Sequence, residues 1–201
     1  MEKSCERELI LDNLELASHR AIRSALKNGW WFKAKDWYYD EFKALCVGCP
    51  GYDATILSAV AAVLSPGVRW GSIRNNMPSI MEQGGHLSLA YKANQRKARA
   101  LIENWKSGKY HKSDILEDMT GRKVRSFYRN LCGETNVVTV DSHMVSLAYK
   151  CGPSERPNLN DKRYSMIEDC IVELVDIIDP GLTPSELQAI LWVYQRGGEL
   201  W

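Results

Sequence analysis

Long apolar runs are missing from this sequence, and with them any helix that could cross a membrane: nothing approaches the roughly 20 consecutive apolar residues a span requires. The two-residue alternation of half-buried strands is almost missing as well. Net charge is only +1, so the chain as a whole is not a polycation, and any nucleic-acid contact has to come from a local basic face. Neither a P-loop nor a dinucleotide-binding glycine fingerprint occurs, which argues against a kinase or a Rossmann enzyme. The N-terminal MEKSCERELI has no apolar signal core, so secretion is not expected and a cytoplasmic location is. Six cysteines, at positions 5, 46, 49, 132, 151 and 170, are spread through the chain and read as reduced thiols rather than a disulfide framework. Cys46-Val47-Gly48-Cys49 lacks the second pair that would complete four zinc ligands, so no metal is expected. Repeats and low-complexity segments are absent.

What is there is helical. The 201 residues are 45% hydrophobic and 25% charged, ordinary for one sizeable domain or two intimate helical lobes. Apolar positions at Ile10, Leu14, Ala17, Ala21 and Leu26 predict a helix over 6–28, ended by Gly29. The aromatic-dense segment from Trp30 to Tyr39 reads as core filling more than as a base-stacking stripe. Asp53 caps a nearly all-apolar, buried helix that stops at Ser65-Pro66-Gly67. The next helix, from Val68, carries Arg69, Arg74, Asn75 and Asn76 near its start. Further helices are expected over 94–106, over a short segment capped by Ser113, and over 164–178 with Asp161 as cap. Thr183-Pro184-Ser185-Glu186 is a capping box with Pro at the first helical position. In the last helix Gln188, Trp192 and Gln195 share one face. The expected fold is all-α, with about eight to ten helices.

The chemistry-bearing stretch is Ser113–Tyr149. It reads as a short helix, a turn at Gly121, a second helix opening at Arg122-Lys123, and an extended Val137–Val140. That segment delivers Asp141 to the start of a third helix. An amine and a carboxylate are thus each presented at a helix opening, 18 residues apart (141 − 123). Taken singly, Asp141 is an ordinary helix cap, Lys123 a surface lysine and His143 a core histidine. Basic residues concentrate in two places, Lys92–Arg99 and Arg122–Arg129.

The order Gly121-Arg122-Lys123, then Val140-Asp141-Ser142-His143, with a buried helix ending in Leu64-Ser65 upstream, resembles the helix-hairpin-helix DNA glycosylases, the endonuclease III-like superfamily. The resemblance covers roughly residues 54–150. It implies a two-lobed glycosylase-like helical domain over 1–201, with N- and C-terminal helices completing the second lobe. It also implies base-excision chemistry: Asp141 as the essential carboxylate and Lys123 as the amine nucleophile, acting on a nucleotide flipped out of double-stranded DNA. Thr120, Gly121, Arg122, Arg125, Ser65 and Arg69 are the implied DNA contacts. Asn75, Asn76, His143, Gln188, Trp192 and Arg196 are the implied pocket. The pattern departs from the family in two places. The base-displacing Gln of the loop after Leu64-Ser65 is missing, with Gly67 near its position and Arg69 or Trp70 as substitutes; the hairpin has one glycine of the usual two. The family's cysteine run for an iron–sulfur cluster is absent, and no cofactor is expected. SPGVRW, GRKVRSFYRNL, VTVDSH and LQAILWVYQRGG together resemble a small group of proteins encoded by tailed bacteriophages, which would place the chain in the host cytoplasm. A monomer is expected. Two alternatives accompany the glycosylase expectation: a phage transferase that joins an amino acid to an activated thymine in DNA on a similar fold, and a helical DNA-binding module without chemistry.

Overall fold

The computed structural model describes residues 3–110 and 112–198, with side chains for 5–110 and 114–198. Eleven α-helices, one short 3-10 turn and no strand occur among the described residues. The all-α class is therefore as the spacing predicts. The chain forms two compact units. One holds the residues up to Trp37 together with those from Glu134 onward, and the other holds Tyr38–Gly133. The stretch from Ser113 to Tyr149 is shared between them.

The first unit is built on α1 (Lys3–Asn28), against which pack α2 (Trp31–Lys35), α9 (Ser142–Tyr149), α10 (Asp161–Ile178) and α11 (Pro184–Gln195). Ile10, Leu14, Ala17, Ala21 and Ala25 run along one face of α1 at steps of three and four, and all are buried. The stripe ends on Ala25 rather than on Leu26, which is 63% exposed. One residue is a turn of about 100°, enough to carry the larger side chain off the face. Three alanines in that stripe let neighbouring helices approach closely. Ile167, Cys170, Ile171 and Leu174 of α10 and Leu187, Ile190 and Leu191 of α11 fill the same core. Burial pushes the Cys170 thiol up to about 11, so it behaves as a small apolar group. Glu6 of α1 accepts from Tyr149 Oη at 2.9 Å and from Arg163 Nε at 3.0 Å, which fastens α1 to α9 and α10.

Within the first unit, Val137–Val140 runs extended without joining a sheet. The Tyr164 hydroxyl takes the place of a strand neighbour there. It accepts from the Val140 N–H at 3.1 Å and donates to the Val138 carbonyl at 3.2 Å. Val137 to Val140 are all buried, where an unpaired backbone group would cost stability.

The second unit is organised by α4 (Ala54–Leu64), whose residues 56–64 are all buried. Asp53 caps it as expected, accepting from Thr55 N at 2.7 Å. Around it lie α5 (Trp70–Glu82), α6 (Lys92–Lys106), α7 (Lys112–Asp118) and α8 (Arg122–Leu131). The aromatic segment before α4 divides into α2 and α3 (Trp37–Gly48), parted at Asp36, and supplies part of the higher helix count. Its side chains divide too: Trp30, Trp37 and Tyr38 are buried, whereas Phe32 and Tyr39 are 74% and 59% exposed. Helical periodicity turns some rings of one run to the core and others to solvent.

One expected cap differs, and another falls outside the described residues. Asn160, not Asp161, caps α10, accepting from Arg163 N at 3.0 Å; Asp161 is the first helical residue, where its charge suits the helix dipole. Helix α7 begins at Lys112, and the side chain of Ser113 lies outside the described residues. The capping box at Thr183 is formed in full: Glu186 Oε2 accepts from Thr183 N at 2.7 Å and Thr183 Oγ1 accepts from Glu186 N. Thr183→Ala should therefore lower stability by about 1 kcal/mol, read as a reduced midpoint in urea denaturation with an unchanged slope.

Candidate functional site

In the second unit, α7 and α8 are joined by Met119-Thr120-Gly121. Met119 is 1% exposed and anchors the turn. Gly121 sits at φ +90°, ψ +128° and opens α8 without any side-chain cap. Only glycine holds such a φ without strain. The first backbone N–H groups of a helix have no partner within it, so the turn presents amide donors beside the exposed Thr120 and Gly121. Arg125 braces the turn from beneath: Nε donates to the Met119 carbonyl at 2.8 Å and Nη2 to that of Glu117 at 3.3 Å. Lys97 of α6 donates to Thr120 Oγ1. Arg122 and Lys123 occupy the first turn of α8, each half-buried. Lys97 lies in the basic segment Lys92–Arg99, but helical periodicity in sequence cannot say that it reaches the hairpin.

Elsewhere in this unit, Ser65 ends α4, with its Oγ donating to the Ala62 carbonyl at 2.9 Å. Gly67 follows at φ +76°, and the Tyr91 ring lies 2.8 Å from where a Cβ would stand. Any larger side chain there would meet that ring, which is a physical reason for glycine at this position. Arg69 is exposed and leads into α5. Asn75 and Asn76 are exposed on that helix; Asn76 Nδ2 donates to the Ser72 carbonyl at 2.7 Å, and Asn75 Oδ1 accepts from Arg74 Nε at 3.3 Å.

In the first unit, Asp141 caps α9. Its Oδ1 accepts from His143 N at 2.9 Å and Met144 N at 3.0 Å, while Oδ2 accepts from Trp192 Nε1 at 3.2 Å. Trp192 is held by three neighbours: Trp37 with ring centroids 5.2 Å apart, the Arg196 guanidinium 4.5 Å from its ring, and His143 edge-on at 6.3 Å. The half-buried carboxylate thus has its orientation set by two backbone amides and an indole that is itself wedged in place. Gln188 is 2% exposed, one turn before Trp192 in α11. The structure brings Asp141, His143, Trp192 and Arg196 together in one cluster. Lys123, Thr120, Gly121, Arg122 and Arg125 belong to the hairpin of the other unit, which also holds Ser65, Arg69, Asn75 and Asn76 at the end of α4 and on α5. Trp37 as a wall of the carboxylate cluster was not legible in the sequence.

The second unit also contains a buried carboxylate that sequence reasoning passed over. Glu41, 2% exposed, accepts from Trp70 Nε1 and from Arg74 Nη1 at 3.2 Å. Burial pushes its carboxyl up, against the pull of Trp70 and Arg74. Burial likewise raises the Cys46 and Cys49 thiols, so neither is an activated nucleophile. Among the described residues no group of three or more His, Cys, Asp or Glu is placed to hold a metal, and no helix is long and apolar enough to cross a membrane.

Residues 19–199 match the family of unknown function DUF7178, and the chain belongs to it. No curated protein and no solved structure matches the chain.

Two outcomes follow from this geometry. Asp141→Ala removes the α9 cap and should cost about 1–2 kcal/mol, whereas Asp141→Asn keeps a capping oxygen and should cost much less, as measured by urea denaturation. For Glu41, a carboxyl raised in the fold binds its proton more tightly than in the unfolded chain. Its contribution is complete below the unfolded value and is lost as pH rises through the folded one. The melting temperature of Glu41→Gln should therefore gain on that of the native chain as pH rises from about 4 to about 7; parallel pH curves would refute the assignment.

Proposed function

We propose that this member of DUF7178 acts on DNA, as a glycosylase or glycosylase/lyase working on a nucleotide taken out of the duplex stack. The observation that carries the reading is the braced α7–α8 turn. The helix opening at Gly121, the Thr120 hydroxyl and the Lys97 ammonium meet at one exposed corner. That combination suits a backbone phosphate, which is held through its charge without reference to base sequence. Arg125 serves the corner indirectly, because tying the carbonyls of Glu117 and Met119 holds the amides outward.

Asp141 supports the chemical half of the reading. Cleaving the bond between base and sugar leaves positive charge on the sugar, and a fixed carboxylate lowers the energy of that state most when it need not reorganise. Two amides and the Trp192 indole give it that fixity. In the lyase form the Lys123 amine attacks the sugar carbon and gives up a proton, the base leaves with the electron pair of the broken bond and takes up a proton, and ring opening yields a Schiff base. The fold-level likeness to helix-hairpin-helix glycosylases belongs to this proposal and rests on Gly121-Arg122-Lys123 and Val140-Asp141-Ser142-His143.

The test is borohydride trapping on a duplex with a single abasic site. A covalent complex is expected for the native chain and should vanish with Lys123→Ala. With Asp141→Asn, release of a normal or damaged base should fall by about two orders of magnitude or more. Intact DNA binding with no trapping and no base release would leave a binding module and overturn the enzymatic reading.

A further inference from the structure

Beside the hairpin, and wholly within the second unit, is a cleft of about 370 Å³, within the size range of small-molecule sites. Its floor is apolar: Val63, Leu101 and Met119 line it and are each at most 4% exposed. Its rim is polar. Asn104 Nδ2 donates to Tyr110 Oη at 3.2 Å, and the same hydroxyl donates to Asp118 Oδ2. Lys97, joined to Thr120, stands on the lining too.

Several rim groups have no partner among the described residues. The half-buried Asn94 carboxamide makes no hydrogen bond to another described residue, and neither Asn104 Oδ1 nor Asp118 Oδ1 accepts one from them. A carboxamide offers a donor and an acceptor side by side, the arrangement that matches the edge of a nucleobase. A carboxylate oxygen accepts only, so it selects an amino group. An apolar floor suits the faces of a flat ring. The ammonium of Lys97, next to the helix opening at Gly121, suits a phosphate.

We infer that this cleft binds a nucleoside monophosphate whose base carries an exocyclic amino group, with the base over Val63 and Leu101, the amino group toward Asp118 and the phosphate toward Lys97. The site shares Lys97 and the Thr120 turn with the phosphate contact proposed above, and does not depend on cleavage chemistry. The same chemistry is offered by a free mononucleotide and by an unpaired nucleotide of a strand.

Calorimetric titration with the separate deoxynucleoside monophosphates, alongside inorganic phosphate, tests this. Saturable binding is expected for the adenine, guanine and cytosine nucleotides, and about tenfold weaker binding for the thymine nucleotide, which has no amino group for Asp118. Asn94→Ala, which removes one carboxamide from the cleft lining, should weaken binding about three- to tenfold. Asp118→Asn should erase the preference against thymine. Circular dichroism of both variants should match the native chain. A short single-stranded oligonucleotide binding far more tightly, with the same dependence on Asn94 and Asp118, assigns the site to strand nucleotides; equal affinity assigns it to free ones. The inference is overturned if no nucleotide binds at up to about 10 mM. It is equally overturned if inorganic phosphate binds as well as the nucleotides, if thymine is not disfavoured, or if folded Asn94→Ala binds normally. Because the ligands are uncleaved, a negative trapping experiment on abasic DNA leaves this result untouched, and the reverse holds as well.

Discussion

A short extended segment with no sheet to join is the constraint on which the first unit depends. Val137–Val140 is buried on the way to Asp141, so its backbone polar groups must find partners inside the protein. Tyr164 provides two of them through one hydroxyl. Because Tyr164 is carried by α10, the direction in which the chain enters α9 is fixed by packing rather than by a turn. The carboxylate at that entry then inherits its position. Oδ1 is committed to the helix start and Oδ2 to Trp192. Trp192 in turn is set by Trp37 and Arg196. Positioning thus runs from a buried hydroxyl to a half-exposed carboxylate through rigid parts.

The second unit solves a different problem. Its central helix α4 is apolar on every side, so it must be covered all round, and α5, α6, α7 and α8 do this. Covering a helix with several short ones creates many helix ends, and helix ends expose amides and carbonyls. The α7–α8 corner turns one such end outward with Gly121, while Arg125 satisfies the carbonyls behind it. Glu41 lies at another junction, where Trp70 and Arg74 of α5 meet it from one side. Burial against those hydrogen bonds leaves it a group whose protonation reports on the integrity of that junction.

Much of this was legible because it is local. Asp53, Asp141 and Thr183 cap the helices that their spacing implies, since capping needs only the side chain and the next three residues. The capping box at Thr183-Pro184-Ser185-Glu186 is formed atom for atom. Misses occurred where two adjacent residues compete for one role: Ala25 against Leu26 for the last core position, Asn160 against Asp161 for the α10 cap. Hydrophobic size and charge favour the wrong member in each pair, and geometry chooses the other. Contacts distant in sequence were not readable at all. Nothing in KANQRKAR says that Lys97 meets Thr120, and nothing in the aromatic run says that Trp37 will stack on Trp192 while Phe32 faces solvent.

The way the chain is divided between the units has a consequence for its synthesis. Tyr38–Gly133 is one continuous insertion in a unit whose two parts lie on either side of it. During translation the inserted unit is complete while the outer one still consists of α1 and α2. The stripe of Ile10, Leu14, Ala17, Ala21 and Ala25 has only α2 against it until α9, α10 and α11 emerge. Three alanines in that stripe keep the waiting surface small, and Glu6 and Arg7 sit at its edge. An early chain would therefore carry a folded centre and an amphipathic N-terminal helix in search of its own C-terminal half, the kind of exposed apolar surface on which chaperones act.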